Sequence, residues 1–213
     1  MRSFIEKLLQ VLIPEENHLR KLLALEPVAL RTILPESNIY GQDLSALFDY
    51  QNKLVRMLVK AVKFRNNPRA RKVVAELLCE DLLEITSDAN LFSGAIPILV
   101  PMPMSKKERG ERGYNQCEEL VKEMTKIFGS QVRTELDLLQ KVRDTERQVH
   151  LSREARTKNL DRSMEVVDPH QILKDKSVVV LDDLYTTGST FAEARRALLL
   201  GGAKSVYGLF IAH

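Results

Sequence analysis

The sequence predicts an α/β protein in which helices flank a mostly parallel sheet and a helical region precedes it. The run VVVL at residues 178–181 is typical of a strand that is buried on both faces, as in a parallel sheet covered by helices. Residues 191–200 carry apolar side chains at helical spacing and end at Gly201 and Gly202, which favour a helix C-terminus. A second apolar run at 205–211 completes a strand–helix–strand unit, whose crossover makes the two strands parallel.

The first 88 residues have a mostly helical pattern, which is interrupted by Pro14, Pro27 and Pro35. Residues 50–64 are its clearest amphipathic segment, with an apolar stripe and with basic residues on the other faces: Lys53, Arg56, Lys60 and Lys63. A basic amphipathic helix can bind a membrane or an acidic partner, but a solvated face above a core-facing stripe is more common. We therefore interpret this segment as a helix that covers a core.

Strands and helices alternate in the remainder of the chain. Further strands are predicted at residues 96–100, 132–138 and 164–167, and a helix at residues 114–128. This alternation favours a mostly parallel sheet with right-handed crossovers. The 213 residues, of which 44% are hydrophobic, suffice for one such domain and an appendage.

The first candidate site lies where the strand at 178–181 ends. Asp182 and Asp183 follow this strand directly, and ligands of open α/β sheets bind at the carboxyl ends of strands. Two carboxylates there can accept hydrogen bonds from neighbouring sugar hydroxyls. A hydroxyl-rich loop with one glycine comes next and leads into a helix, whose positive end favours a phosphate: Thr186, Thr187, Gly188, Ser189 and Thr190. The alternative is an ordinary strand end followed by a helix cap, since Ser and Thr are favoured caps anywhere.

The second candidate site is a basic loop at residues 101–116, between the strand at 96–100 and its helix. Near the helix start the loop offers charged, backbone and amide donors that suit a pyrophosphate: Arg112, Gly113, Tyr114, Asn115 and Gln116. The alternative is a solvated basic loop, and we favour it for Lys106 and Lys107 alone.

The third candidate site is the polar, basic segment at residues 141–162, which could close over an anion. Arg147 is its strongest candidate for a catalytic role. His150 lies in the same segment, but a surface or packing role is at least as common for a lone histidine, so we assign it no catalysis.

The composition argues against several other classes of protein. A net charge of +3 is too small for nucleic-acid binding across the whole surface, and neither a GxxxxGK(S/T) nor a GxGxxG motif occurs. The two cysteines, Cys79 and Cys117, are far apart in helical contexts, which favours a reducing cytoplasm over a disulfide framework. No run approaches the roughly twenty apolar residues of a membrane span. We therefore expect a cytoplasmic protein without membrane insertion.

Residues 178–190, VVVLDDLYTTGST, resemble the phosphoribosyl pyrophosphate (PRPP) binding motif of type I phosphoribosyltransferases. Together with the loop that ends in RGYNQ and the run at 147–160, they resemble the ComF family of phosphoribosyltransferase-like proteins, some of which serve natural competence. Tyr50, Val55, Lys63 and Phe64 are also similar to the family's N-terminal region. Many members begin with a cysteine-rich zinc-binding segment, whereas residues 1–49 here contain no cysteine. No function of that segment is therefore carried over.

The resemblance implies a helical hood at residues 1–90 and a type I phosphoribosyltransferase core domain at residues 91–213. It implies that Asp182 and Asp183 orient the ribose and support the positive charge on its reacting carbon. Arg147, the third residue assigned to catalysis, would help to hold the pyrophosphate. The 5-phosphate would bind at residues 186–190, and the pyrophosphate at residues 112–116. Mg²⁺ is the implied cofactor, held mainly by PRPP and water rather than by protein side chains.

The implied activity is transfer of the phosphoribosyl group from PRPP to an unknown nitrogen nucleophile, with release of pyrophosphate. A second possibility is a non-catalytic PRPP-binding accessory protein, for example in competence-related DNA uptake. A single-stranded nucleic acid is a third candidate partner, although Tyr114 is the only aromatic residue in either basic segment that could stack on a base. The resemblance is also compatible with a homodimer, because related enzymes often pair.

Overall fold

The computed structural model describes residues 15–39, 43–87, 97–142, 162–168 and 170–213. Within these ranges the α-helices are α1 (Glu15–Leu23), α2 (Pro27–Ile33), α3 (Lys53–Lys63), α4 (Pro68–Ser87), α5 (Lys106–Arg112), α6 (Gln116–Phe128) and α7 (Ser189–Leu200). The strands are β1 (Leu44–Phe48), β2 (Ile98–Pro101), β3 (Arg133–Thr134), β4 (Leu139–Lys141), β5 (Met164–Val166), β6 (Ser177–Leu184) and β7 (Ser205–Ala212). A short 3-10 turn at Gly129–Gln131 follows α6.

Five strands form one sheet in the order β1-β7-β6-β2-β3, and every neighbouring pair in it is parallel. The predicted class, a mostly parallel sheet flanked by helices, is thereby confirmed. The strand predicted at 164–167 lies outside this sheet, because β5 pairs antiparallel with β4 in a separate ribbon. The strand predicted at 132–138 shortens to the two residues of β3 at the sheet edge.

Each face of the sheet has its own apolar core. Helices α3, α4 and α6 cover one face, where Val179 and Leu181 of β6 are fully buried. Helix α7 and the β4–β5 ribbon cover the other face, which receives Val178 and Val180 of the same strand. The alternation of the β6 side chains between two covered faces explains why its sequence is a continuous apolar run.

Strand β1 corrects the prediction that residues 2–88 are mostly helical. Residues Leu44–Phe48 pair in parallel with β7 at the edge of the sheet, and Ser45 Oγ donates a hydrogen bond of 2.8 Å to Asp81 Oδ2 of α4. Five residues before a helix carry too short a pattern to reveal a strand. The sheet therefore draws on both sides of residue 90, while the division into two regions at that residue stays a prediction.

The lengths of the strands create an opening in the sheet. Strand β2 ends at Pro101, opposite Leu181, whereas β6 continues to Leu184 alongside β7. Among the described strands, the last three residues of β6 therefore have a neighbour on one side only. Because all five strands are parallel, the loops that follow β2 and β6 meet at this edge of the sheet.

Among the described residues, no helix combines the length and the apolar character that spanning a lipid bilayer requires.

Candidate functional site

The acidic pair occupies the part of β6 that extends beyond β2. Successive side chains of a strand point to opposite faces, so Asp182 and Asp183 diverge. Asp182 is half-buried, and its Oδ1 accepts a hydrogen bond of 2.8 Å from the Asp183 backbone N–H. The Sγ of Cys117, in the first turn of α6, lies 3.5 Å from the same oxygen. Asp182 is therefore held by a contact within its own strand and by a contact from the first turn of α6.

Asp183 lies in the interior rather than in an open cleft. It is 3% exposed, and Lys63 Nζ lies 2.5 Å from its Oδ2. Lys63 is the last residue of α3, so a side chain from the N-terminal region neutralises the second acid of the pair. The sequence predicts that both carboxylates accept hydrogen bonds from a sugar, whereas the structure buries Asp183 against Lys63; a bond from Asp183 to a ligand stays a prediction.

The burial and the charges of the pair shift its titration. Burial, followed by repulsion from Asp183, raises the pKa of Asp182 to about 8, although Lys63 acts in the opposite direction. Burial acts to lower the pKa of Lys63, but attraction to Asp183 outweighs it, so this pKa lies above its ordinary value. Burial also raises the pKa of the Cys117 thiol, and so does the charge of Asp182; the thiol is therefore neutral and can donate to Asp182. At neutral pH Asp182 is therefore largely protonated.

We expect the Asp182→Asn substitution to stabilise the protein increasingly as the pH rises from 5 to 8. The folded state keeps the Asp182 proton up to a pKa of about 8, whereas the unfolded chain loses it near 4, so rising pH costs the wild type stability in this window. Asparagine resembles the protonated acid and escapes this cost. Thermal unfolding should show a gain in Tm of roughly 2–4 °C or more near pH 8, equivalent to about 1 kcal/mol. An equal Tm difference at both ends of the window would contradict the assignment.

The hydroxyl-rich loop joins β6 to α7. Thr186 and Thr187 are exposed, while Gly188, Ser189 and Thr190 are half-buried, and α7 begins at Ser189. The hydroxyls of Thr187 and Ser189 lie 2.8 Å apart. Gly188 is the N-cap residue, without a side chain that could cap the amides, and first-turn amides have no carbonyl partner within their own helix. The N-terminus of α7 therefore presents backbone N–H groups beside exposed hydroxyls, as an anion site requires.

Gly188 has a conformation that only glycine adopts readily here. Its φ is +74°, and a Cβ atom at this position would lie 2.9 Å from Cζ of Tyr185. The ring of Tyr185 packs against Phe210 at a centroid distance of 5.0 Å, so it has little freedom to withdraw. The tight turn that brings α7 directly behind the acidic pair thus depends on this glycine.

The basic segment after β2 is more ordered than the predicted loop. Residues 106–112 form α5, which begins at a Ser105 capping box and ends at Gly113 in the left-handed conformation. Arg112 is half-buried, donates a hydrogen bond to Gln116 Oε1, and has its guanidinium carbon 5.3 Å from the centre of the Phe64 ring. Its cation is therefore held at the rim of the opening, beside the residue that follows Lys63.

Two of the predicted pyrophosphate ligands use their side chains to build the site. The Tyr114 hydroxyl donates to the Lys63 carbonyl oxygen at 2.9 Å, and Asn115 Nδ2 donates to the Met102 carbonyl oxygen at 3.0 Å. Asn115 Oδ1 also accepts from the Cys117 N–H as the N-cap of α6. Asn115 and Gln116 are both buried. Arg112 and the exposed backbone of Gly113 are consequently the parts of this segment best placed for a ligand, and the binding role of all five residues stays a prediction.

The structure brings the first two candidate sites together at the carboxyl end of the sheet. It adds Lys63, which sequence reasoning did not select. Lys63 pairs with Asp183 and accepts a hydrogen bond from Tyr114 at its carbonyl oxygen. The ring of Phe64, the next residue, lies against the Arg112 guanidinium. The sequence placed Lys63 among four basic residues of an amphipathic helix, and only the resemblance singled out Lys63 with Phe64. Arg147 and His150 lie outside the described residues, so their roles stay predictions.

The arrangement offers backbone N–H groups, hydroxyls and a carboxyl group to an anionic, hydroxylated ligand. In the ranges that the structure describes, no three His, Cys, Asp or Glu side chains converge as a metal site. Within the described ranges, Lys63 is paired with Asp183 of the acidic pair. Magnesium held mainly by PRPP and water stays a prediction.

Curated proteins with similar sequences include competence and DNA utilization proteins. The DNA utilization protein YhgH of Salmonella typhi is 31% identical over 166 residues, which are 78% of this chain and 69% of that protein. The competence protein ComFC of Streptococcus pneumoniae is 27% identical over 166 residues, or 78% and 66% of the two chains. The competence protein F of Haemophilus influenzae is 24% identical over 151 residues, or 70% and 64%. No protein-family model matches the chain.

Among solved structures, the glutamine PRPP amidotransferase from B. subtilis in complex with ADP and GMP is similar with a TM-score of 0.43 and 16% identity. The match covers 71% of this chain but 30% of that one. A likeness this weak adds nothing to the strand order described above.

Proposed function

The chain belongs to the ComF family, and from this we propose that it binds PRPP as its magnesium complex and transfers the phosphoribosyl group to a nitrogen nucleophile. The observation that carries the proposal is the sequence of features along β6 and α7. An acidic pair, a tight glycine turn and a helix N-terminus follow one another within nine residues, at the open carboxyl edge of a parallel sheet. Each feature matches one part of PRPP.

The 5-phosphate suits the N-terminus of α7. The free amides of its first turn and the hydroxyls of Thr187 and Ser189 are donors, and the helix dipole favours a negative charge. This phosphate is remote from the bond that breaks. Its binding energy can therefore be used to orient the reacting carbon.

The ribose suits the acidic pair. Asp182 is the half-buried member on the face of α7 and can bond the ribose hydroxyls, while Asp183 and Lys63 hold the strand end below it. As the bond to pyrophosphate breaks, positive charge develops on the ribose ring. Asp182 beside the ring stabilises that charge as a carboxylate, which requires the proton that burial keeps on it to leave before the bond breaks.

The leaving pyrophosphate suits the segment after β2. Arg112 presents a charged donor at the rim, and the Gly113 backbone is exposed beside it. Arg147 is assigned to the same anion on the strength of the resemblance alone. Magnesium, which PRPP would carry, neutralises charge on the diphosphate as it leaves.

A calorimetric titration of PRPP with Mg²⁺ and a pyrophosphate-release assay with ammonia, amines and nucleobases test the proposal together. We expect PRPP to bind and its affinity to depend on the loop between β6 and α7. We also expect one class of acceptor to accelerate the release of pyrophosphate. Absence of PRPP binding at millimolar concentration would contradict the proposal.

A second candidate function is PRPP binding without useful turnover, in an accessory role in DNA uptake. The names of the relatives refer to competence and DNA utilization rather than to a transferase, which favours this candidate. PRPP binding without product from any acceptor would identify it. Cytoplasmic location, homodimer formation and a nucleic-acid partner remain predictions.

A further inference from the structure

The ion pair between Lys63 and Asp183 joins residues 120 positions apart in the chain. It buries the second member of the acidic pair, on the opposite face of β6 from Asp182. Lys63 Nζ is 2.5 Å from Asp183 Oδ2, the Lys63 side chain is 20% exposed and the Asp183 side chain is 5% exposed. An ammonium group that is this well covered has given up most of its hydration. It is therefore part of the site and not a solvated surface charge.

The backbone of Lys63 is fixed from the opposite side of the opening. The Tyr114 hydroxyl donates to the Lys63 carbonyl oxygen at 2.9 Å, and the Lys63 ammonium lies 5.9 Å from the centre of the Phe64 ring. Tyr114 belongs to the segment between α5 and α6, so two separate elements hold the lysine in place. Its ammonium points at Asp183 because this framework directs it there.

Two adjacent carboxyl groups at the end of a strand would ordinarily attract a divalent cation, since oxygen ligands of this kind suit Mg²⁺ and Mn²⁺. Here one positive charge already lies against Asp183. A metal ion would have to displace it and would still lack a third acidic ligand, because no cluster of three exists in the described part of the chain.

We propose that Lys63 is the resident cation of the acidic pair: it supplies the positive charge that a metal ion would otherwise supply, so the carboxylates bind no divalent cation of their own. Lys63 is then a positioning residue, which holds Asp183 in place through the ion pair and leaves Asp182 to face the ligand. Under the proposed function, any magnesium enters on the diphosphate of PRPP; only this last step rests on that function.

Binding of Mn²⁺ alone, followed by electron paramagnetic resonance near neutral pH, tests the proposal without any phosphoribosyl donor. The wild type should bind Mn²⁺ no better than a variant with Asp183→Asn. The Lys63→Met variant, which keeps most of the apolar side chain and loses its charge, should bind Mn²⁺ about tenfold more tightly or better, because Asp183 then lacks its counter-charge. Lys63→Arg should behave as the wild type, and the gain should vanish in the double variant Lys63→Met, Asp183→Asn.

Two results would overturn the proposal. One is wild-type Mn²⁺ binding that Asp183→Asn abolishes, which would make the pair a metal site despite Lys63, and this comparison does not require the methionine variant to fold. The other is a folded Lys63→Met protein without any gain in Mn²⁺ affinity. Since PRPP is absent from the experiment, failure of PRPP to bind would count against the proposed function and leave this result intact.

Discussion

Replacing both Asp182 and Asp183 by asparagine is expected to weaken PRPP binding by about 100-fold or more and to abolish pyrophosphate release. A hydrogen bond to a charged group contributes about 1.5–3 kcal/mol, so losing the Asp182 contact to the ribose, together with the Lys63–Asp183 ion pair that holds the strand end, gives this order of magnitude. Asparagine keeps the size of the side chains and the Oδ1 acceptor that the Asp183 N–H uses. The measurement is calorimetry together with the release assay.

The matched control is Asp175→Asn, which removes an exposed carboxylate just before the start of β6, at the opposite edge of the sheet. Its φ of +58° is one that asparagine tolerates well. PRPP affinity should be unchanged in the control. Retained affinity in the double variant, with a cooperative unfolding transition, would contradict the assignment of the acidic pair to the ribose.

The Lys63→Met substitution is expected to lower the free energy of unfolding by about 3 kcal/mol, because it leaves a buried carboxylate without its partner. For a chain of this length, such a loss lowers Tm by roughly 6–12 °C. Thermal unfolding followed by circular dichroism measures it.

Lys60→Met is the control from the same helix, since Lys60 is exposed one turn earlier and its loss should change Tm by no more than about 2 °C. The double variant Lys63→Met, Asp183→Asn should recover at least half of the lost stability, because neither charge then remains buried alone. If Lys63→Met proves as stable as the Lys60 variant, the ion pair contributes nothing and the lysine is a surface residue.

The parts of the fold that the sequence predicts well are those that local pattern determines. The apolar run before Asp182, the hydroxyl loop and the helix ending near Gly201 are contiguous, and the observed β6, loop and α7 follow that order with shifts of a few residues at their ends. Periodicity and capping chemistry act over such short distances. The role of this stretch in PRPP binding stays a prediction.

The parts that sequence reasoning did not find depend on contacts between distant segments. The partner of Asp183 lies 120 residues earlier, on a helix with several similar basic residues, and no local signal separates Lys63 from Lys60. The pairing of β1 with β7 likewise joins segments that are distant in the chain. The five residues of β1 show no clear alternation of apolar and polar side chains from which a strand could be predicted. The burial of Asp183 follows from these contacts, so an open carboxylate was the natural expectation from sequence.

In the segment after β2 the structure differs from the prediction in another way. The residues lie where the sequence predicts, but their side chains bond other parts of the protein. Tyr114 and Asn115 do lie at the start of α6, yet their polar groups bond Lys63 and Met102. A polar side chain near a helix start can cap, brace or bind. Only the positions of its neighbours decide among these uses.

A crystal structure of the protein with Mg²⁺ and PRPP shows directly whether β6 and α7 form the PRPP site. We expect the 5-phosphate within hydrogen-bond distance of the backbone amides of Ser189 and Thr190 in the first turn of α7. The ribose hydroxyls should lie against Asp182, and the magnesium ion should lie on the diphosphate. PRPP bound away from the carboxyl end of β6, or with its 5-phosphate remote from α7, would contradict it.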